Sequence, residues 1–164
     1  MTYNRRNFLT AAGMGAISTA VISRLGASEP AEAAQRFEFN LTDAQWRKQL
    51  SPAAYDVLRR DGTERPYSSP LNKEHRRGTF SCAGCALPLF SSRAKFESGT
   101  GWPSFYAPAP NAVITRTDRT LGMARTEVRC RRCGGHLGHV FDDGPKPTGK
   151  RYCMNGVAMT FKAI

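Results

Sequence analysis

The sequence predicts two N-terminal helices followed by a mostly antiparallel β domain, and three observations lead there. Helical signals are confined to residues 41–62, short runs of alternating apolar and polar residues follow Pro66, and Gly and Pro punctuate the intervals between those runs. At 164 residues and 40% hydrophobic content, the chain suits one domain with one modest core plus a short extension. It shows no internal repeat beyond two C-x-x-C pairs and no low-complexity segment.

The extension comes first. Asn4-Arg5-Arg6-Asn7-Phe8-Leu9-Thr10 precedes a weakly apolar stretch rich in Ala, Gly and Ser that runs to about Leu25, and Ala31-Glu32-Ala33 follows. A basic start, a short apolar run and an A-x-A site describe an export signal, and the paired arginines before Phe-Leu resemble the twin-arginine type. Residues 1–33 are therefore expected to be a signal peptide and 34–164 the mature domain, located in the periplasm or otherwise exported. The apolar run is shorter than the roughly 20 residues that span a bilayer, and Arg24 interrupts its end, so no stable membrane insertion is expected after cleavage.

In the mature chain, Thr42 or Asp43 can cap a helix continued by Ala44, Trp46, Lys48 and Leu50. Ser51-Pro52 restarts a second helix, with Tyr55, Val57 and Leu58 on its apolar side and Gly62 as its stop. Residues 78–80, 112–116, 123–129 and 157–161 alternate as half-buried strands do.

The formal net charge of +11 would suit a nucleic-acid binder. The arginines, however, occur as scattered pairs at 5–6, 59–60, 76–77 and 131–132, with no aromatic-interleaved basic patch, and no nucleic-acid partner is expected.

The five cysteines divide into two pairs and a remainder. Cys82-Ala83-Gly84-Cys85 and Cys130-Arg131-Arg132-Cys133 each place two thiolates on a tight turn, able to take adjacent corners of a tetrahedron. Two disulfides and an iron-sulfur centre are the rival readings. A closed four-sulfur zinc site fits the pattern best; it stabilises the fold and leaves no open position for substrate.

The remaining thiol, Cys153, lies in Arg151-Tyr152-Cys153-Met154-Asn155. It is either an inert buried cysteine or a nucleophile, and in favour of the second Arg151 can lower its pKa while Asn155 offers an amide. A strand here would put residues 151, 153 and 155 on one face. Upstream, His136 and His139 sit in the Gly-rich run 134–144, where metal binding, acid catalysis beside a thiolate and a plain structural role all remain open. The run Ser98-Gly99-Thr100-Gly101-Trp102-Pro103-Ser104-Phe105 is a poor helix or strand, so it reads as an ordered loop that either packs Trp102 into the core or presents it as a wall for a small apolar group.

Together these segments resemble the methionine-R-sulfoxide reductase B family, across essentially all of residues 41–162. The shared motifs are a C-x-x-C knuckle, S-G-x-G-W-P-S-F, C-x-x-C-G-x-H-L-G-H-V-F-D-D-G-P and R-Y-C-x-N, in that order. The resemblance implies a mainly β fold of two antiparallel β-sheets with peripheral helices and one structural zinc ion held by Cys82, Cys85, Cys130 and Cys133. It also implies an oxidoreductase in which the Cys153 thiolate attacks the sulfoxide sulfur and is left as a sulfenic acid. His136 and His139 then match active-site histidines, Trp102 and Phe141 contact the substrate, and Asn155 and Arg151 position the site. Oxidised proteins are the implied substrates of a monomeric enzyme, and a thioredoxin-like protein or another external thiol is the reductant.

The chain departs from the family pattern at two places. Thr100 stands where many relatives carry a recycling cysteine, so direct reduction of the Cys153 sulfenic acid by an external thiol is expected. Gly156 stands where serine is frequent.

Overall fold

The computed structural model describes residues 37–164 apart from Leu121, within the folded unit Gln35–Ile164. The export-signal reading of residues 1–33 lies outside the described residues.

Local capping explains where the helices begin. Thr42 accepts a hydrogen bond from the Gln45 backbone N–H, and the Gln45 side chain accepts from the Thr42 N–H, closing a capping box on α1 (Asp43–Gln49). Ser51 accepts from the Ala54 N–H to cap α2 (Pro52–Arg60), whose Pro52 occupies the first turn, where a missing N–H costs nothing. Tyr55, Val57 and Leu58 form the buried side of α2 as expected. The helix ends one residue earlier than Gly62: Asp61 itself takes the left-handed conformation (φ 57°). A short polar side chain tolerates that geometry, and the Asp61 carboxylate there accepts from Arg116 (3.0 Å) and Arg129 (3.1 Å).

Among the described residues, nine strands follow in two antiparallel sheets. The smaller has the order β2-β1-β9, with β1 (Gly78–Cys82), β2 (Pro88–Ser91) and β9 (Met159–Ala163). The larger has the order β3-β4-β8-β7-β6-β5, with β3 (Lys95–Phe96), β4 (Ser104–Phe105), β5 (Val113–Asp118), β6 (Arg125–Cys130), β7 (His136–Phe141) and β8 (Arg151–Met154). The four alternating runs of the sequence correspond to β1, β5, β6 and β9. The Gly-rich run containing both histidines is also a strand, β7, and β8 ends at Met154, so Asn155 leaves the strand that carries Cys153. Among the described residues no helix is long and apolar enough to cross a membrane.

Aromatic packing joins the sheets. Phe105 of β4 stacks on Phe90 of β2 (centroids 4.3 Å apart) and meets Phe80 of β1 edge-on (5.0 Å), and all three are fully buried. Replacing Phe105 by Ala is expected to cost roughly 3–5 kcal/mol through lost burial and the residual cavity. Urea unfolding should show this as a lower midpoint at unchanged slope.

Candidate active site

Strand register assembles the site. Ser104 of β4 pairs with Cys153 of β8, Cys153 with His139 of β7, His139 with Glu127 of β6, and Glu127 with Arg116 of β5. This row of polar residues crosses the larger sheet on one face. The next residues along, Phe105, Tyr152, Val140 and Thr126, form the row on the other face, because successive side chains alternate. Cys153 and His139 are thus direct cross-strand neighbours.

Gly138 makes that pairing possible. A Cβ at this position (φ 153°) would stand 2.1 Å from the Cys153 carbonyl oxygen, so the strand bearing the thiol comes this close only to a glycine.

Cys153 and His139 open on a cleft of about 200 Å³, walled by Trp102 and Phe141 and closed by Asn155 and Thr63. Trp102 stands between β3 and β4, in the loop the sequence marked as ordered, and its indole N–H donates to the Glu64 carbonyl (3.1 Å), which fixes the ring. Asn155 is buried; its amide donates to the Leu137 carbonyl (3.1 Å) and accepts from the Glu64 N–H (3.0 Å). The Glu64 carboxylate in turn accepts from the N–H groups of Gly156 (2.6 Å) and Val157 (2.9 Å).

The Cys153 thiol is pulled two ways. Burial raises its pKa above the ordinary 9.0, whereas the Thr100 hydroxyl, 3.8 Å from the sulfur, and the Arg151 guanidinium favour the thiolate. Thr100 is held by Ser98 (2.8 Å), which also bonds Ser104 (2.7 Å). Arg151 is locked by a two-pronged bond to Asp143 (2.8 and 2.7 Å) and lies over the Phe141 ring at 4.5 Å.

The two histidines occupy different places. His139 lines the cleft, and its Nε2 meets Asp118 Oδ2 at 2.8 Å. Burial is the largest influence on it and lowers its pKa below the ordinary 6.5, with Asp118 opposing. His136 is 2% exposed and lies behind, in a polar chamber of about 70 Å³; its Nδ1 meets Glu127 Oε1 at 2.6 Å and its Nε2 has no partner. The rings are edge to face, 5.5 Å apart.

Sequence reading missed Thr63, Glu64, Asp118, Arg125 and Glu127. Arg125 and Glu127 alternate on a recognised strand, a signal that they share a face. Glu64 sits in an irregular segment that carries no such signal.

The four paired cysteines form a separate, buried cluster with sulfur atoms within 4.8 Å of one another. Cys82 and Cys133 are 3.7 Å apart and Cys85 and Cys130 3.5 Å, too far for disulfides of about 2.05 Å and close to the ~3.8 Å edge of a tetrahedron with zinc-sulfur bonds of about 2.3 Å. The other thiols, Cys133 first, hydrogen-bond to Cys130 and hold it well below a free thiol, and the same interaction pushes Cys82 and Cys133 up. A dication resolves this conflict by taking all four as thiolates. Gly134 (φ 67°) follows the second pair, and a side chain there would collide with Phe37. The cluster therefore fits one structural zinc ion.

Comparison with known proteins identifies the family. Residues 50–163 match the family model described as the SelR domain. The chain is 58% identical over 121 residues to a peptide methionine sulfoxide reductase MsrB of Thiobacillus denitrificans, covering 73% of this chain and 92% of that protein. It is 53% identical over 126 residues to the MsrB of Agrobacterium fabrum, covering 76% and 93%, and 50% identical over 127 residues to that of Leptospira interrogans, covering 77% and 97%.

Two outcomes are expected from the site's construction. Elemental analysis of the purified protein should find about one zinc per chain, and Cys82→Ser should lose the metal and sharply lower the melting temperature, since the site's binding energy is folding energy. Gly138→Ala should destabilise the protein by about 1–3 kcal/mol or more, by crowding β8, and should slow alkylation of Cys153 in the folded state.

Proposed function

The chain belongs to the SelR-domain family of methionine sulfoxide reductases B, and we propose that it reduces methionine-R-sulfoxide in oxidised proteins with Cys153 as nucleophile. One observation carries this reading: the cross-strand pair Cys153–His139 opens on a small cleft whose apolar walls are Trp102 and Phe141. A thiol, a proton carrier and a pocket for an S-methyl group are what the reaction requires.

In this reading the Cys153 thiolate attacks the sulfoxide sulfur while the sulfoxide oxygen takes a proton through His139. The oxygen then passes as hydroxyl from the methionine sulfur to the Cys153 sulfur, and the sulfur–sulfur bond just formed breaks. Methionine departs and Cys153 is left as a sulfenic acid, so the thiol supplies two electrons. Trp102 and Phe141 admit the methyl group on one side only, which selects the epimer by shape. Asn155 holds the end of β8, and Arg151 steadies the thiolate as it forms.

Burial acts on both partners in the same direction, since it penalises the charged forms. At neutral pH the pair carries one proton, resting on sulfur, and the reactive thiolate–imidazolium arrangement is reached by its transfer. Below the lowered His139 pKa the pair holds two protons and no thiolate; above the raised Cys153 pKa it holds none and has no acid.

Thr100 leaves no partner thiol beside Cys153, and the other four cysteines are gathered in the metal cluster. We infer that an external thiol attacks the sulfenic acid directly, releasing water and forming a mixed disulfide that a second thiol resolves. The twin-arginine-type segment at residues 4–10 supports export to the periplasm or beyond, by a route that suits a metal site filled before an oxidising compartment is reached.

The deciding assay offers separately prepared R and S epimers of a blocked methionine sulfoxide, with dithiothreitol as reductant. Consumption of the R epimer alone, abolished by Cys153→Ser, is expected; consumption of neither by folded, zinc-loaded protein refutes the reading. The dependence of kcat/KM on pH should be flat through neutrality and fall only below the lowered His139 pKa and above the raised Cys153 pKa. Mass spectrometry after one turnover without reductant should find a Cys153 sulfenic acid and no intramolecular disulfide involving Cys153.

A further inference from the structure

We infer that Asp118 is a positioning residue for sulfoxide reduction: its carboxylate grips His139 by Nε2 and is itself locked by Arg125, which leaves Nδ1 as the nitrogen that handles the proton beside Cys153. The inference rests on the reading of His139 as the proton carrier.

Asp118 is the last residue of β5 and pairs with Arg125, the first of β6. His139 comes from β7, on the far side of β6, so the carboxylate reaches across a strand to the ring. Its side chain is only 12% exposed, and donors fill both oxygens. Oδ1 accepts from the Thr120 N–H (2.9 Å) and hydroxyl (2.7 Å); Oδ2 accepts from Arg125 Nη2 (2.6 Å) and meets His139 Nε2 (2.8 Å). These bonds, the Thr120 N–H first, hold the carboxyl well below the usual range. A carboxylate fixed in its ionised form can only accept, so Nε2 must carry hydrogen, and the tautomer of His139 follows from Asp118 alone.

The neighbouring imidazole shows that this is a specific choice. Glu127 binds His136 through the other nitrogen, Nδ1 (2.6 Å), and is itself paired with Arg116 and Arg129. Both carboxylates lie in the chamber behind the cleft, and of the two carboxylate–imidazole pairs only the one made by Asp118 brings its imidazole into the cleft with Cys153.

The charged groups around His139 are Asp61 after α2, Asp118 and Arg116 from β5, Arg125 and Glu127 from β6, His136 from β7, and Cys153 and Arg151 from β8. Arg125 and His136 act with burial to disfavour the imidazolium, and Asp118 opposes them. Removing the Asp118 charge therefore makes the thiolate–imidazolium pair rarer, and each unit by which the His139 pKa falls costs tenfold in that population.

The test compares Asp118→Asn, His139→Asn and the double variant of the zinc-loaded protein in single-turnover reduction of the R-sulfoxide, with the His139 tautomer read by nitrogen NMR. Asp118→Asn is expected to slow the step about tenfold to a hundredfold at little change in KM, to move the acid limb of the pH profile down by about one to two units, and to add little to His139→Asn. Wild-type His139 should show hydrogen on Nε2. If His139→Asn is impaired while Asp118→Asn keeps the wild-type rate and acid limb, the inference alone is overturned. An equal loss from Asp118→Asn in both backgrounds marks a merely structural role and also overturns it. Hydrogen on Nδ1 of the resting, neutral wild-type ring overturns it without any variant. An unimpaired His139→Asn removes the underlying reading and the inference together.

Discussion

The four-sulfur cluster is the constraint on which the rest of this structure depends. Cys82 ends β1 in the smaller sheet, Cys130 ends β6 in the larger one, and Cys133 precedes β7. One metal ion therefore ties the two sheets together and clamps the β6–β7 connection, which leads directly into the strand that carries both histidines. Cys82 also pairs with Met159 at the start of β9, a few residues beyond Cys153, so the same clamp limits where the thiol strand can lie. A 164-residue chain with a modest core gains rigidity where its chemistry needs it.

Alternation along the strands does the second part of the work. On one face of the larger sheet Phe105, Tyr152 and Val140 pack toward aromatic and aliphatic neighbours; on the other, Ser104, Cys153, His139, Glu127 and Arg116 stand in a row. A one-residue slip of β8 would exchange Cys153 for Tyr152 and end the chemistry. The glycine between the histidines guards against this, because only its missing side chain lets β7 and β8 meet in this register. Burial then sets the thiol and the imidazole against their charged forms, and Arg151 and Asp118 oppose that penalty for one partner each.

Much of this was legible from residue order. The capping residues Thr42 and Ser51 announced both helices, alternation announced β1, β5, β6 and β9, and the paired cysteines announced a metal site set apart from the lone Cys153. Strands β3 and β4 were not legible, since two residues carry no period. Strand β7 was obscured by glycines that look like a loop until the close approach of β8 explains Gly138. Asn155 falls one residue beyond the end of β8 and still lines the cleft with Cys153, but its bonds to Glu64 and Leu137 were not legible from spacing.

By itself the sequence determined the residue types of the chemistry: four thiolates at knuckle spacing, one thiol beside an arginine, two histidines and an aromatic loop. These follow from local spacing, which one stretch of chain can encode. Which histidine faces the thiol, which carboxylate sets its tautomer and how Glu64 braces Trp102 and Asn155 were decided only by the tertiary structure. Those relations join residues far apart in the chain, and they exist only once strand register and burial have brought the groups together and removed the water between them.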